Sequence, residues 1–333
     1  MSRKLLLGIV IVIILVAVGI YFLIVSGETQ KTYRIGILSG LDFFADTADG
    51  FKEKMTELGR VENKNVVYDV WKTNFDETAY ERILYKFVAD NVDLIFVFPT
   101  EASLVAKKLI QRTDIPVVFG NVDIEGVGLV NSVREPGGNI TGVRYPGPDL
   151  ALKRFEIMRE LVPNATQMWV AYQEGYPIVE LQLEVVRPAA IAAGVTITEV
   201  PASDAAELQA NLETLGRSKK IGPDAILLIA EPLAVTADTF EVMARFAAER
   251  KIPIGGASMT AGNYESLFGV STDNMRVGEQ VAVLADKILK GISAGTIPVA
   301  SAESFLQINY RAAQKMGIIV PEGLLNRANQ IIR

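Results

Sequence analysis

Apolar and polar residues alternate along this chain in three distinct ways. Residues 5–25 read LLLGIVIVIILVAVGIYFLIV, without a single charge, directly after Arg3 and Lys4. Past a short polar stretch at 27–31, brief apolar runs rich in Val, Ile and Phe alternate with segments whose apolar positions recur every three or four residues. The runs predict strands at 34–38, 66–71, 93–99 and 116–122, and the helical spacing predicts helices at 46–58, 77–90 and 103–111. Residues 126–145 interrupt this rhythm with two short apolar segments, GLVNSV and ITGVRY, around the turn Pro136-Gly137-Gly138-Asn139. A second series then follows. Its strands are expected near 168–172, 195–200, 225–230 and 253–256, and its helices near 150–161, 178–193, 205–217 and 236–250. One more strand at 267–270 and a long helix at 275–290 complete it. Strands alternating with helices specify parallel sheets covered on both faces, so the class is α/β, with two doubly wound lobes.

The run at 5–25 is long enough to cross a bilayer as one helix, because about 20 apolar residues span the ~30 Å hydrocarbon core. Both flanking cations precede it, which places the rest of the chain outside the cell. A cleaved signal peptide is the alternative. Its apolar region is typically about 7–15 residues and ends at a small-residue site, whereas this run is longer and ends in Ile24-Val25-Ser26-Gly27. We therefore expect an N-terminal transmembrane helix, with 1–30 as membrane anchor and linker, and a single-pass protein of the cell membrane whose soluble part is extracytoplasmic.

With 333 residues the chain has room for two average domains. Its formal charge is −6, with no basic stripe, which argues against a nucleic-acid partner. There is no Cys, so core burial alone must hold the fold together, and no lipid-modified N-terminal cysteine exists. There is no His either. That removes the usual general base and the commonest metal ligand. No Walker loop, EF-hand or GxSxG elbow is present. Neither a metal nor a cofactor is expected, and the chain reads as a non-enzyme.

Several segments, in order, resemble the substrate-binding proteins of ABC importers with the type I periplasmic-binding fold, and more narrowly the tryptophan/tyrosine-type family. They include YRIGIL followed by GFKEKMTELG, NVDLIFVFPTEASLVAKKL, DIPVVFGNVDIEGVGLV, the turn REPGGNITGV, FEIMRELVPNATQMWVAY, KIPIGGAS, GVSTDNMRVGEQVAVLADKILKG and FLQINYRAAQKMGIIVPEGLLNRAN. The resemblance implies three crossings between lobes. Lobe 1 would comprise 31–144 plus 271–298, and lobe 2 would comprise 145–270 plus 299–333, with a hinge near Tyr145, Ser271 and Pro298.

Ligands of open parallel sheets bind outside the carboxyl ends of the strands. Applied to the predicted strands, this rule nominates Asp42, Phe44, Thr100, Ser103, Asn121 and Asp123 in lobe 1, Glu174, Tyr176, Glu231 and Ser258 in lobe 2, and Ser271 and Asp273 at a crossing. Thr100 and Ser103 stand where a strand enters a helix, and they suit an anionic or acceptor group as well as ordinary capping. Phe44 and Tyr176 offer rings for a planar or apolar body, or pack on their own lobe. Asp42, Asp123, Glu174 and Glu231 are candidates for a ligand ammonium or are solvated loop charges. Asn121 can donate and accept together. Ala230-Glu231-Pro232-Leu233, Ala257-Ser258-Met259-Thr260 and Ser271 stand where the family often carries acids, so lobe 2 offers few partners for an amine. Asn139-Ile140-Thr141 and Asn164-Ala165-Thr166 match glycosylation sequons, and both also read as turns.

These features lead us to expect an extracytoplasmic receptor. It would capture a small organic solute, such as an aromatic or branched amino acid, and deliver it to an ABC permease and its ATPase. A ligand-sensing module acting through a membrane partner is the first alternative, and an anchored carboxylate-dependent hydrolase the second.

Overall fold

The computed structural model describes residues 31–40, 44–73, 76–110, 113–217 and 222–333. The expected membrane span at 5–25 and the candidate Asp42 lie outside the described residues. Among the described residues no helix is long and apolar enough to cross a membrane.

The chain runs through β1 (Tyr33–Ser39), α1 (Ala45–Glu57), β2 (Val66–Lys72), α2 (Glu77–Ala89), β3 (Leu94–Phe98), α3 (Thr100–Ile110), β4 (Val117–Val122) and β5 (Ile140–Arg144). It continues through α4 (Gly147–Leu161), β6 (Gln167–Gln173), α5 (Val179–Ala192), β7 (Thr196–Ala202), α6 (Ala205–Arg217), β8 (Ala225–Leu227), α7 (Pro232–Val235), α8 (Ala237–Arg250) and β9 (Ile254–Gly255). It closes with β10 (Thr260–Ala261), β11 (Tyr264–Glu265), β12 (Phe268–Thr272), α9 (Asn274–Leu289), β13 (Ala300–Ser301), β14 (Ser304–Asn309), α10 (Tyr310–Lys315), α11 (Glu322–Arg327) and β15 (Gln330–Ile332).

The first sheet is six-stranded and parallel, in the order β13-β5-β4-β3-β1-β2. Its central strands are apolar without alternation because both faces are covered. Every residue of β3 is buried. Ile35, Ile37, Phe96 and Phe98 face a core shared with Phe51 and Met55 of α1 and Val277 and Val281 of α9. Leu38, Ile95, Val97 and Phe119 face the opposite core, beneath α2 and α3. Helices α1 and α9 approach so closely that a Cβ on Gly50 would overlap the Met275 carbonyl, and one on Gly278 would overlap that of Thr47. Only glycine allows two helix backbones that close.

The second system begins with a parallel sheet, β7-β6-β8-β9. It is extended by the three-stranded sheet β12-β14-β15, in which β12 and β14 are antiparallel. Backbone bonds from Gly256 N to Phe268 O (3.0 Å) and from Val270 N to Gly256 O (2.9 Å) join the two. Residues of α4, α5, β12 and β14 share one core here. The chain passes between the two systems after β5, after β12 and after β13.

Most predicted elements coincide with observed ones within a few residues. Helix α3 starts three residues earlier than its periodicity suggested, directly off the end of β3. ITGVRY is not only turn-flanking sequence, since 140–144 forms a buried strand of the first sheet. The strand in the run at 225–230 ends at Leu227, with Leu228 N still bonded to Gly255 O (2.8 Å), and the hairpin β10–β11 and the single-turn helix α7 have no apolar periodicity to announce them. Strand β12 carries its pairing to Thr272, two residues past the expected crossing, and β13 keeps Ala300–Ser301 with the first sheet.

The candidate ligand-binding cleft

A cavity of about 340 Å³ opens between the two sheet systems, at the carboxyl ends of β3, β4, β8 and β9. That is the small end of the ~300–1,000 Å³ range of ligand pockets. Its lining is mainly apolar, with Phe44, Tyr145, Tyr176 and Phe305 contributing rings. Phe44 meets Phe98 edge-on, centroids 6.3 Å apart, so the sheet core supports this ring from behind.

The first sheet supplies the polar wall. Val122 ends β4, and a register shift between Phe119 and Val122 marks a bulge. Asn121 in this bulge takes φ 52°, a conformation Asn tolerates better than most residues. Its Nδ2 donates to Thr47 Oγ1 (2.9 Å) and Asn274 Oδ1 (3.1 Å), and its Oδ1 accepts from Thr272 Oγ1 (3.1 Å). Asn121 therefore spends most of its capacity joining α1, α9 and β12 beneath the cleft floor.

Asp123 is 1 % exposed. Its backbone N–H donates to Thr100 Oγ1 (3.1 Å), and its Oδ1 accepts weakly from Glu125 N (3.4 Å). Its Oδ2 is buried without a hydrogen-bond partner. Burial, and then the neighbouring Glu125 carboxylate, push its pKa up to about 8, while Arg144 opposes this. Arg144 pairs with Glu125 and donates through Nε to Ser301 Oγ (2.7 Å). One wall of the cleft therefore holds a buried carboxyl group whose ionised form has no cation bonded to it among the described residues.

The second system supplies Tyr176, Glu231, Ser258 and Ser271. Burial and then the Glu101 carboxylate of α3 hold the Tyr176 phenol well above its usual value, which places that hydroxyl opposite an acid from the other side of the cleft. Glu231 caps α7, accepting from Leu233 N (3.0 Å), Ala234 N (2.5 Å) and Gln173 N (2.9 Å). Burial pushes it up to about 7, although all three backbone bonds favour its ionised form.

Eight of the twelve residues nominated from sequence line the cavity: Phe44, Thr100, Asn121, Asp123, Tyr176, Glu231, Ser258 and Ser271. Three others do not. Ser103 is fully buried and returns its hydroxyl to the Pro99 carbonyl (2.8 Å), one helical turn back. Glu174 points to solvent. Asp273 caps α9 by accepting from Arg276 N (3.2 Å). Lining residues that sequence reasoning passed over include Tyr145, Arg154, Thr272, Asn274, Phe305 and Gln307. Arg154 had a usable signal: it is a charge within the apolar stripe Leu150, Ala151, Phe155, Met158 of α4.

A family model described as ABC transporter substrate binding protein matches residues 36–332. A tyrosine-binding protein from Clostridioides difficile is 25% identical over 280 residues, which cover 83% of this chain and 78% of that protein. Among solved structures, a conserved domain protein from Vibrio cholerae is 26% identical with a TM-score of 0.78, covering 90% of this chain and 100% of the other. A domain from Streptococcus pneumonia in complex with L-Trp shares the fold at 24% identity and a TM-score of 0.77, covering 91% of this chain and 100% of the other.

Proposed function

The chain belongs to the ABC transporter substrate-binding protein family, and from that premise we propose that it is an extracytoplasmic receptor for a small solute with an amine and an apolar body. An aromatic or branched amino acid is the candidate class, handed on to an ABC permease and its ATPase. The observation that carries this reading is Asp123, buried at the cavity wall with Oδ2 unpartnered. A buried carboxylate is costly unless paired, and a ligand ammonium would pair it. The rings of Phe44, Tyr145, Tyr176 and Phe305 suit the remainder of such a ligand. The tyrosine-binding relative and the L-Trp complex of the same fold agree with that class.

In this reading each sheet system is the core of one lobe, and the hinge is the three strands of chain that cross after β5, β12 and β13. Ligand binding favours the closed arrangement because only there do both walls touch the solute. Residues 5–25 would tether the receptor to the membrane. The test is a thermal-shift screen of the full-length protein with aromatic and branched amino acids, amines and sugars. A true ligand raises the melting temperature with RT ln(1 + [L]/Kd). Stabilisation by sugars alone would refute the amine-binding reading.

A further inference from the structure

We propose that Arg154 is the anion anchor of this cleft, so that the solute is a zwitterion with its ammonium at Asp123 and its carboxylate at Arg154. This rests on the reading of the cavity as an amine-accepting site and adds to it the second charge and the residue that selects for it.

Arg154 is 2 % exposed and lines the cavity, and among the described residues no carboxylate pairs with it. Its Nε donates to the carbonyls of Gly256 (3.0 Å) and Val270 (2.9 Å), and Nη2 donates to Val270 O (2.6 Å) and Tyr145 Oη (2.5 Å). Nη1 has only Gln182 Oε1, at 3.4 Å. A guanidinium carries five N–H groups, and here the Nη1 pair is barely used. These contacts are all to neutral groups, so a full positive charge is buried with no anion beside it. Such a charge is costly by itself and gains most from a carboxylate delivered by a ligand.

The opposite wall is unsuited to an anion. Thr100 lies between the Asp123 backbone, to which it is bonded, and the buried Glu101 carboxylate next to it in α3. A ligand carboxylate placed there would face the carboxyl groups of Asp123 and Glu101. Glu231, the other acid at the cavity, is occupied by three backbone amides. The cleft thus has an anionic side and a cationic side.

Both groups adjoin one residue, Tyr145. The Asp123 carboxylate rests on Gly147, at the start of α4, and the Tyr145 ring lies beside the same point, its Cδ1 3.6 Å from where a Cβ on Gly147 would be. The hydroxyl at the far end of that ring reaches Arg154. Asp123 and Arg154 therefore both lie beside Tyr145 at the cavity wall. An α-amino acid carries an ammonium for the one and a carboxylate for the other, each able to form a charge-assisted hydrogen bond of about 2.8 Å. A lysine would lack the planar fork that lets Arg154 hold two strands and a ligand together.

The test uses the full-length protein and three probes in isothermal titration: L-tryptophan, tryptamine, which lacks the carboxylate, and 3-(indol-3-yl)propionate, which lacks the amine. In the unmodified protein each truncated probe should bind roughly thirtyfold more weakly than L-tryptophan, or worse. Arg154→Gln should erase most of the ratio between L-tryptophan and tryptamine affinities, and Arg154→Lys should restore part of it. A purely structural Arg154 would weaken both probes alike. An unchanged ratio of L-tryptophan to tryptamine in Arg154→Gln overturns the anchor while leaving the amine site intact. Failure of the unmodified protein to bind any aromatic or branched amino acid overturns the amine site, and the anchor with it. If Arg154→Gln does not fold, a crystal structure of the unmodified protein with L-tryptophan decides. A carboxylate at Arg154 supports the proposal, and one at Thr100 overturns it.

Discussion

The Asp123 carboxylate lies against the bare Cα of Gly147, so close that a methyl group there would overlap Oδ2. Asp123 follows β4 of the first sheet, and Gly147 opens α4 of the second system. The absence of one side chain therefore sets how near the buried acid comes to the helix that carries Arg154. Gly147→Ala should push the acid away and cost about 1–3 kcal/mol of stability. It should also weaken binding of an amine-bearing probe more than Gly323→Ala, at a site with open space around it. Urea unfolding and titration with L-tryptophan measure the two effects.

Asp123 should make both stability and binding depend on pH, in opposite directions. Its pKa rises from an ordinary 3.8 to about 8 in the folded protein. Between those values the folded state binds more protons than the unfolded one, so unliganded stability falls as pH rises from about 4 to 8 and then levels off. A cationic ligand needs the ionised form, so its affinity should rise over the upper part of that window, with release of a proton. Calorimetry in two buffers of different ionisation enthalpy reads the proton count. Asp123→Asn should flatten the stability profile, abolish proton release and weaken the amine by about 2–5 kcal/mol. Unchanged proton release in that variant would assign the effect to another group.

Glu231 tests the division between holding the fold and holding the ligand. Its three amide bonds make it part of the α7 cap. Glu231→Gln replaces one accepting oxygen with a donor and should destabilise the protein by about 1–3 kcal/mol, with only a few-fold change in affinity. The reverse pattern, intact stability with lost binding, would move the ammonium site from Asp123 to Glu231.

Tyr176 separates ring from hydroxyl. Tyr176→Phe removes only the group facing Glu101 and should weaken binding by about 0.5–1.5 kcal/mol. Tyr176→Ala removes a cleft wall and should cost at least about 2 kcal/mol. Equal losses in the two variants would show that the cross-cleft hydroxyl, not the aromatic surface, is what matters.

How much of this was readable in the sequence depends on how locally each feature is encoded. The strands and most helices were, because Val-, Ile- and Phe-rich runs and three-to-four spacing are local signals. The positions of Thr100, Asn121 and Asp123 followed from one rule about strand ends. The role of Glu231 did not follow: an acid before Pro232 reads as a loop charge until the fold brings Gln173 N beside it, 58 residues away in sequence. Ser103 was misplaced because α3 begins at Thr100, which turns the serine back onto the Pro99 carbonyl. Arg154 was passed over because the stripe around it reads as core, although a charge within that stripe is itself a signal. Its partners at 145, 182, 256 and 270 come from four separate stretches of chain.

The tight contact between α1 and α9 also has a consequence for biosynthesis. The apolar face of α1, with Ala48, Phe51 and Met55, finds its cover in Val277 and Val281, which are made more than 200 residues later. At about 5–20 residues per second, that face waits roughly ten seconds or more before its cover exists. The first sheet cannot complete its core on the ribosome until nearly the whole polypeptide has emerged. Because Gly50 and Gly278 let α1 and α9 pack this closely across that interval, the first core stays open during synthesis until α9 has been made.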